Sequence, residues 1–222
     1  MKFGKYDAKL YDLTEIDLSK MEELLFHGGV YKLPHYKDLA SFDTPQLAVF
    51  GNKYGMYTIP TIELIDELKK IIAGRHAVEI GSGVGIIGRE LGIKCTDSLC
   101  QNIPAVKMHY DLHLQPVIEY GTHVIERDAE WVARKWRPDV ILGSWITHKY
   151  VDEEISGNFF GPDEEIILDN CKTYIMLGNH KTHGMKPIMK HNPMIIKDFP
   201  GYVSRSSYPE DNRVYIWEGR KK

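Results

Sequence analysis

Residues 76–91, HAVEIGSGVGIIGREL, decide how the rest of the chain is read. The run HAVEI (76–80) is short and apolar, as a buried strand is. It ends in the glycine turn GSGVG (81–85), and GIIGREL (85–91) then has the length and composition of a short helix. Strand, glycine turn and helix in that order make half of a nucleotide-binding unit. Upstream, TIPTIELIDELKKIIAG (58–74) places Ile62, Ile65, Leu68 and Ile72 at helical spacing, with Pro60 suited to a first turn and Gly74 to the end. Downstream, strands are predicted in GIKCTD (92–97), THVIERD (122–128), PDVILGSW (138–145) and CKTYIMLGN (171–179), with WVARKW (131–136) a helix between two of them. Two more lie in PMIIKDFPGYVSR (193–205) and NRVYIWEG (212–219), and the polar SSYPEDN between them suits a closing antiparallel hairpin. Seven strands interleaved with helices argue an α/β sheet fold.

Residues 1–57 have a different texture, mixing charges, aromatics and loop formers around a short helix predicted at 14–26, Gly28-Gly29 and a break at Pro34. They read as an N-terminal cap, which divides the chain into a segment 1–57 and a main domain 58–222. The 222 residues, 43% hydrophobic and 27% charged, suffice for one full core. With 28 basic against 31 acidic residues the net charge is −3, so no global positive field marks a dedicated nucleic-acid binder. Three cysteines, Cys95, Cys100 and Cys171, are too few for a disulfide framework or a closed zinc site. No apolar leader or membrane-length run is present, so the expectation is a cytoplasmic chain with no membrane partner.

The glycine loop parses in two ways. As Gly83-x-Gly85-x-x-Gly88 it is a dinucleotide fingerprint, which needs an acid about 20 residues on. Asp97 arrives only 12 residues after Gly85 (97 − 85), which fits poorly. In the other parse an acid, Glu79, closes the strand and Gly81-x-Gly83-x-Gly85 follows. A carboxylate at the mouth of the loop repels a pyrophosphate and attracts an ammonium, so the ligand is cationic or zwitterionic.

That second pattern resembles motif I of the class I S-adenosylmethionine-dependent methyltransferases. The lead-in helix, Asp97 at the second strand's end, Asp128-Ala129 after the third, Asp139 opening the fourth and the two closing strands follow in that family's order over residues 58–219. The resemblance implies a Rossmann-like three-layer sandwich whose mostly parallel seven-stranded sheet has its last strand antiparallel. It implies that S-adenosylmethionine is bound by Glu79 at its ammonium, by Gly81, Ser82, Gly83 and Gly85 at its amino-acid part, by Asp97 at the ribose and by Asp128 and Ala129 at the adenine. Tyr57 and Thr58, just before the lead-in helix, are expected where the cap covers the cofactor.

The stretch Gly143-Ser144-Trp145-Ile146-Thr147-His148 stands where amino-methylating enzymes of adenine or glutamine carry an Asn/Asp-Pro-Pro-Tyr/Phe box, and no Pro-Cys pair serves cytosine chemistry. The methyl acceptor is therefore undetermined, with a small molecule or nucleotide favoured over a DNA base. Ser144, Trp145 and His148 are the candidate catalytic residues, His148 as a base. His109 and His113 have the spacing of helix-borne metal ligands but no third partner, so no metal is expected. Gly178 to His183, with Lys186 and Lys190, form a basic stretch that could receive an anion. Two rivals remain, a nicotinamide-dependent oxidoreductase through the first parse and a non-catalytic module that keeps the fold.

Overall fold

The structure, a computed structural model, describes residues 16–112, 117–150 and 157–221. The N-terminal part contains helix α1 (Ser19–Leu25), a hairpin of β1 (Phe26–His27) and β2 (Val30–Tyr31), then α2 (Tyr36–Leu39), α3 (Thr44–Lys53) and β3 (Thr58–Ile59). Gly28 and Gly29, with φ of +57° and +81°, form the two-residue turn of the hairpin, a conformation that favours glycine. The helix expected at 14–26 occupies 19–25; its first residues lie outside the described ones.

The main domain follows with α4 (Ile62–Ile72), β4 (Ala77–Ile80), α5 (Ile86–Leu91), β5 (Lys94–Asp97), α6 (Pro104–Leu112), β6 (Ile125–Glu126), α7 (Ala129–Trp136) and β7 (Val140–Ser144). It closes with α8 (Glu164–Asn170), β8 (Thr173–Asn179), α9 (His180–His183), β9 (Met194–Ile196), β10 (Val203–Ser204) and β11 (Asn212–Glu218). Seven strands form one sheet in the order β6-β5-β4-β7-β8-β11-β9. All neighbours from β6 to β8 are parallel, and β11 alone runs against them, antiparallel to both β8 and β9. This is a Rossmann-like α/β sheet with the last strand reversed.

Alternation along the buried strands builds the layers. Val78, Ile80, Ile141, Tyr174 and Met176 face α7 and α8, packing on Val132, Ile167 and Leu168. Val140, Leu142, Ile175 and Leu177 face the other way onto Leu64, Ile65 and Leu68 of α4 and Ile87 of α5. Helix α4 is capped by the Thr61 hydroxyl, which accepts from the Leu64 N–H, and buries Leu64, Ile65, Leu68 and Ile72. Each such side chain contributes roughly 1.5–3 kcal/mol by leaving water. Two details differ from the helical expectation: Leu64 rather than Ile62 is fully buried, and Pro60 precedes the cap instead of occupying the first turn.

The closing strands also correct the sequence. Met194–Ile196 pairs with β11 as expected, but the polar SSYPEDN stretch is not the hairpin loop between them. The segment PGYVSR leaves the sheet, and its Val203–Ser204 pairs antiparallel with Thr58–Ile59. That ladder lies at the start of the main domain, and the N-terminal segment joins it through a shared core. Met21, Leu25, Phe50 and Met56 share one core cluster with Ile59, Ile86 and Val203.

Candidate functional site

Strand order reverses between β4 and β7, since the chain steps outward from β4 to β5 and β6, then returns to start β7 on the other side. The crevice beyond the carboxyl ends of strands at such a point is where open α/β sheets hold ligands. A cleft lies there, lined by the glycine loop, the end of β5, residues 144–147 and the Gly55–Thr58 segment.

Gly81, Gly83 and Gly85 all adopt the left-handed conformation, with φ of +54°, +54° and +73°. A Cβ on Gly81 would stand 2.5 Å from Ile146 Cδ1, and one on Gly85 would stand 2.6 Å from His123 Nε2. Three of the loop's amides are spent inside the protein: Ser82 N–H donates to Thr96 O (3.0 Å), Gly85 N–H to Ser82 O (2.8 Å) and Gly83 N–H to Asp97 Oδ2 (3.0 Å). Ser82 Oγ is buried without a hydrogen-bond partner. Gly85 caps α5 and lies outside the cleft lining.

Glu79 is 1% exposed and accepts from the Gly88 N–H at 2.9 Å. Burial pushes its carboxyl up to about 8, against the opposing pull of that N–H and of the Cys95 thiol. Asp97 is raised from the ordinary carboxyl range, also chiefly by burial, while the amides of Gly83, Leu99 and Ser98 hold it back. Asp97 therefore braces the glycine loop through Gly83 and its own turn through Leu99.

Ser144 shares a 2.8 Å hydrogen bond with Thr58, and both line the cleft. Trp145 has φ +57°, and four contacts fix it there. Its N–H donates to Leu177 O (2.8 Å) and its indole N–H to the Tyr202 hydroxyl (3.1 Å). Its ring lies 5.6 Å from Tyr57 and 5.2 Å from His183. His148 does not line the cleft, and its backbone carbonyl accepts from the Asn158 N–H. Asp128 caps α7, accepting from Trp131 N–H at 2.7 Å. With Ala129 it lines a second hollow that shares Gly81, Ser98, Ile146 and Phe160 with the first, so the two are contiguous.

Of the residues expected from sequence, the cleft thus gathers Tyr57, Thr58, Glu79, Gly81, Ser82, Gly83, Asp97, Ser144 and Trp145. Asp128 and Ala129 stand next door, and Gly85 and His148 lie behind the lining. The basic stretch is not one continuous surface, because His183 is buried and held down at about 4 by burial. Lys186, 4% exposed, bonds Glu164 Oε1 at 2.6 Å. Lys190 pairs with Glu165 at 2.9 Å. His113 lies outside the described residues, and among those no cluster of three or more His, Cys, Asp or Glu is placed to hold a metal. No helix among them is long and apolar enough to cross a membrane.

The sequence reading missed Gln101, Tyr110, Ile118 and Tyr120, which also line the cleft, Ile118 beside Gly83. Gln101 organises them, accepting from Ile118 N–H (2.8 Å) and donating to the Tyr110 hydroxyl (3.2 Å). Residues 98–120 carry neither strand alternation nor a glycine signature, so only the fold reveals them. Tyr202 and Arg205 were missed because PGYVSR reads as the end of a strand.

No family model matches the chain and no curated protein matches it. Solved structures do. One is a SAM-dependent methyltransferase from Agrobacterium tumefaciens, with 13% identity, 70% of this chain and 59% of that one covered, and a TM-score of 0.33. An rRNA methylase from Streptococcus thermophilus is 10% identical over 70% of this chain and 94% of that one, with a TM-score of 0.38. A DNMT2 variant from Spodoptera frugiperda is 19% identical over 65% of this chain and 50% of that one, with a TM-score of 0.32. The chain spans 59% of the Agrobacterium protein's length and half of the DNMT2 chain. The fold assignment stands on the strand order above, and the functional reading stands on the cleft.

Proposed function

We propose that the protein is an S-adenosylmethionine-dependent methyltransferase. One observation carries this reading: among the described residues, the only ionisable acids or bases of the Asp, Glu, Lys, Arg and His types that line the cleft are Glu79 and Asp97. Two carboxyls and no cation suit a ligand that offers an ammonium and vicinal hydroxyls. With no cation in that lining, nothing there neutralises a pyrophosphate. The amides at the three glycine positions of the dinucleotide parse argue the same way, because Gly83, Gly85 and Gly88 already donate within the chain. The left-handed glycines and the unpartnered Ser82 hydroxyl fit an amino-acid moiety laid against the loop.

In this reading Glu79 faces the ammonium and Asp97 the ribose hydroxyls, while Asp128 and Ala129 in the adjoining hollow take the adenine. Ser144 and Trp145 form the face toward the acceptor, and Thr58 of β3 supports Ser144 through their hydrogen bond. The bound cofactor supplies a methyl group on a positively charged sulfur, which an acceptor lone pair takes as the carbon–sulfur pair returns to sulfur. Alignment of the two partners in a closed cleft is the chain's main contribution, and an acceptor that loses a proton gives it to solvent. His148 has no place in this scheme.

Isothermal titration with S-adenosylmethionine, S-adenosylhomocysteine and NADH tests the reading. The first two are expected to bind, more weakly to Glu79→Ala. Binding of NADH alone would overturn it.

A further inference from the structure

The cleft carries more information on its acceptor side. Trp145 holds a left-handed backbone, φ +57°, which costs a bulky residue of this kind stability and persists only where surrounding contacts impose it. Here its indole is anchored to Tyr202, which in turn donates to Gly178 O at 3.0 Å. Tyr57 stands beside it, backed by the Arg205 guanidinium 3.5 Å above its ring. That guanidinium is engaged, donating to Asn52 Oδ1 at 2.8 Å, and does not line the cleft. Tyr110, Tyr120 and Phe160 line the same cleft, Phe160 at its junction with the adjoining hollow. Among the described residues no lysine, arginine or histidine lines the cleft, and Lys149 of the adjoining hollow is paired with Glu130 at 3.2 Å, so the cleft itself offers no cation to a phosphate. The Thr58–Ser144 hydroxyl pair, with Thr147 and Asn158 also in the lining, can orient one heteroatom of a ligand.

We propose that this side of the cleft is a subsite for a small, uncharged, planar aromatic molecule, stacked on the wall that Trp145 and Tyr57 form, with its polar atom at the Thr58–Ser144 pair. That such a molecule is the methyl acceptor rests on the methyltransferase reading; its chemistry rests on the lining alone. Aromatic side chains favour offset or edge-on contact with flat rings, which a saturated molecule of equal size cannot make.

The test is equilibrium dialysis of the full chain, with and without saturating S-adenosylhomocysteine, against naphthol, its fully hydrogenated analogue and a single-stranded oligoadenylate. Naphthol is expected to bind at least tenfold tighter than either, about 1.4 kcal/mol. Trp145→Phe is expected to keep that preference and Trp145→Leu to lose it. Equal binding of the hydrogenated analogue, tighter binding of the oligonucleotide, or an unchanged preference in a folded Trp145→Leu would overturn the proposal. Should S-adenosylhomocysteine fail to bind while the naphthol preference persists, the methyltransferase reading falls and the aromatic subsite stands.

Discussion

Glu79 illustrates how a single residue can be legible as a position and misread as a charge. Its place after the strand follows from the acid-x-Gly-x-Gly-x-Gly pattern, but full burial against Gly88 pushes its carboxyl up to about 8, so near neutral pH it is mostly protonated. A cation arriving beside it favours the ionised form, and the proton must leave. Titrations with S-adenosylmethionine at pH 7 in buffers of different ionisation enthalpy are expected to report net proton release, absent in Glu79→Gln. The same shift bears on stability. A carboxyl raised on folding favours the folded state fully below its unfolded value near 4.5 and loses that contribution as pH rises through about 8. Urea midpoints are therefore expected to fall less across that window in Glu79→Gln than in the parent, and parallel profiles would contradict the burial argument. Glycine offers a cleaner comparison. Gly28 and Gly81 have φ of +57° and +54°, yet a Cβ on Gly28 meets nothing within 4 Å while one on Gly81 meets Ile146 at 2.5 Å. Gly28→Ala is expected to cost about 1–2 kcal/mol for the backbone alone. Gly81→Ala should cost more in chemical denaturation and should also weaken ligand binding, because Ile146 lines both hollows.

Elements were legible where a single period governed them. The lead-in helix, the strand before the glycine loop and the strand ending at Ser144 stand within a few residues of expectation because their apolar residues answer to one core. The closing strands were harder, since Val203–Ser204 serves a different ladder from Met194–Ile196 and local sequence does not say which partner a strand takes. The stretch from Gly178 to Lys190 shows the same limit for charge. It reads as a basic surface, but Lys186 turns inward, its side chain 2% exposed, and bonds Glu164 Oε1 together with the Ile146 carbonyl at 2.9 Å. The Tyr174 hydroxyl reaches the same carboxylate oxygen at 2.9 Å. That arrangement ties α8 and the segment after α9 to the loop that follows β7. Lys186→Met, which strands the Glu164 carboxylate, is expected to destabilise by roughly 3–5 kcal/mol. Adding Glu164→Leu should restore much of the loss, because an apolar pair of similar size suits the site. Denaturant midpoints of the single and double variants decide this, and a double variant worse than the single would contradict it.

At the scale of the whole molecule, the boundary at residue 57 marks a change of sequence texture. The core crosses it, since Met21, Leu25 and Phe50 pack in one cluster with Ile59, Ile86 and Val203. The N-terminal segment and the sheet are accordingly expected to unfold together, with calorimetric and van't Hoff enthalpies in agreement. An early transition confined to the first segment would contradict that. The sequence also carried half of the cleft, the half built on the glycine loop and the strand ends. The other half, with Gln101, Tyr110, Ile118 and Tyr120, comes from segments whose residues meet only in three dimensions, as does Tyr202, which holds the Trp145 indole. The central claim is that the cleft takes S-adenosylmethionine with its amino-acid part at the glycine loop, and a crystal structure with S-adenosylhomocysteine tests it most directly. The expected result places the homocysteine amino group beside Glu79 and the glycine loop, the ribose at Asp97 and the adenine in the hollow of Asp128 and Ala129. A ligand bound elsewhere, or one with its adenine against Glu79, would contradict the account.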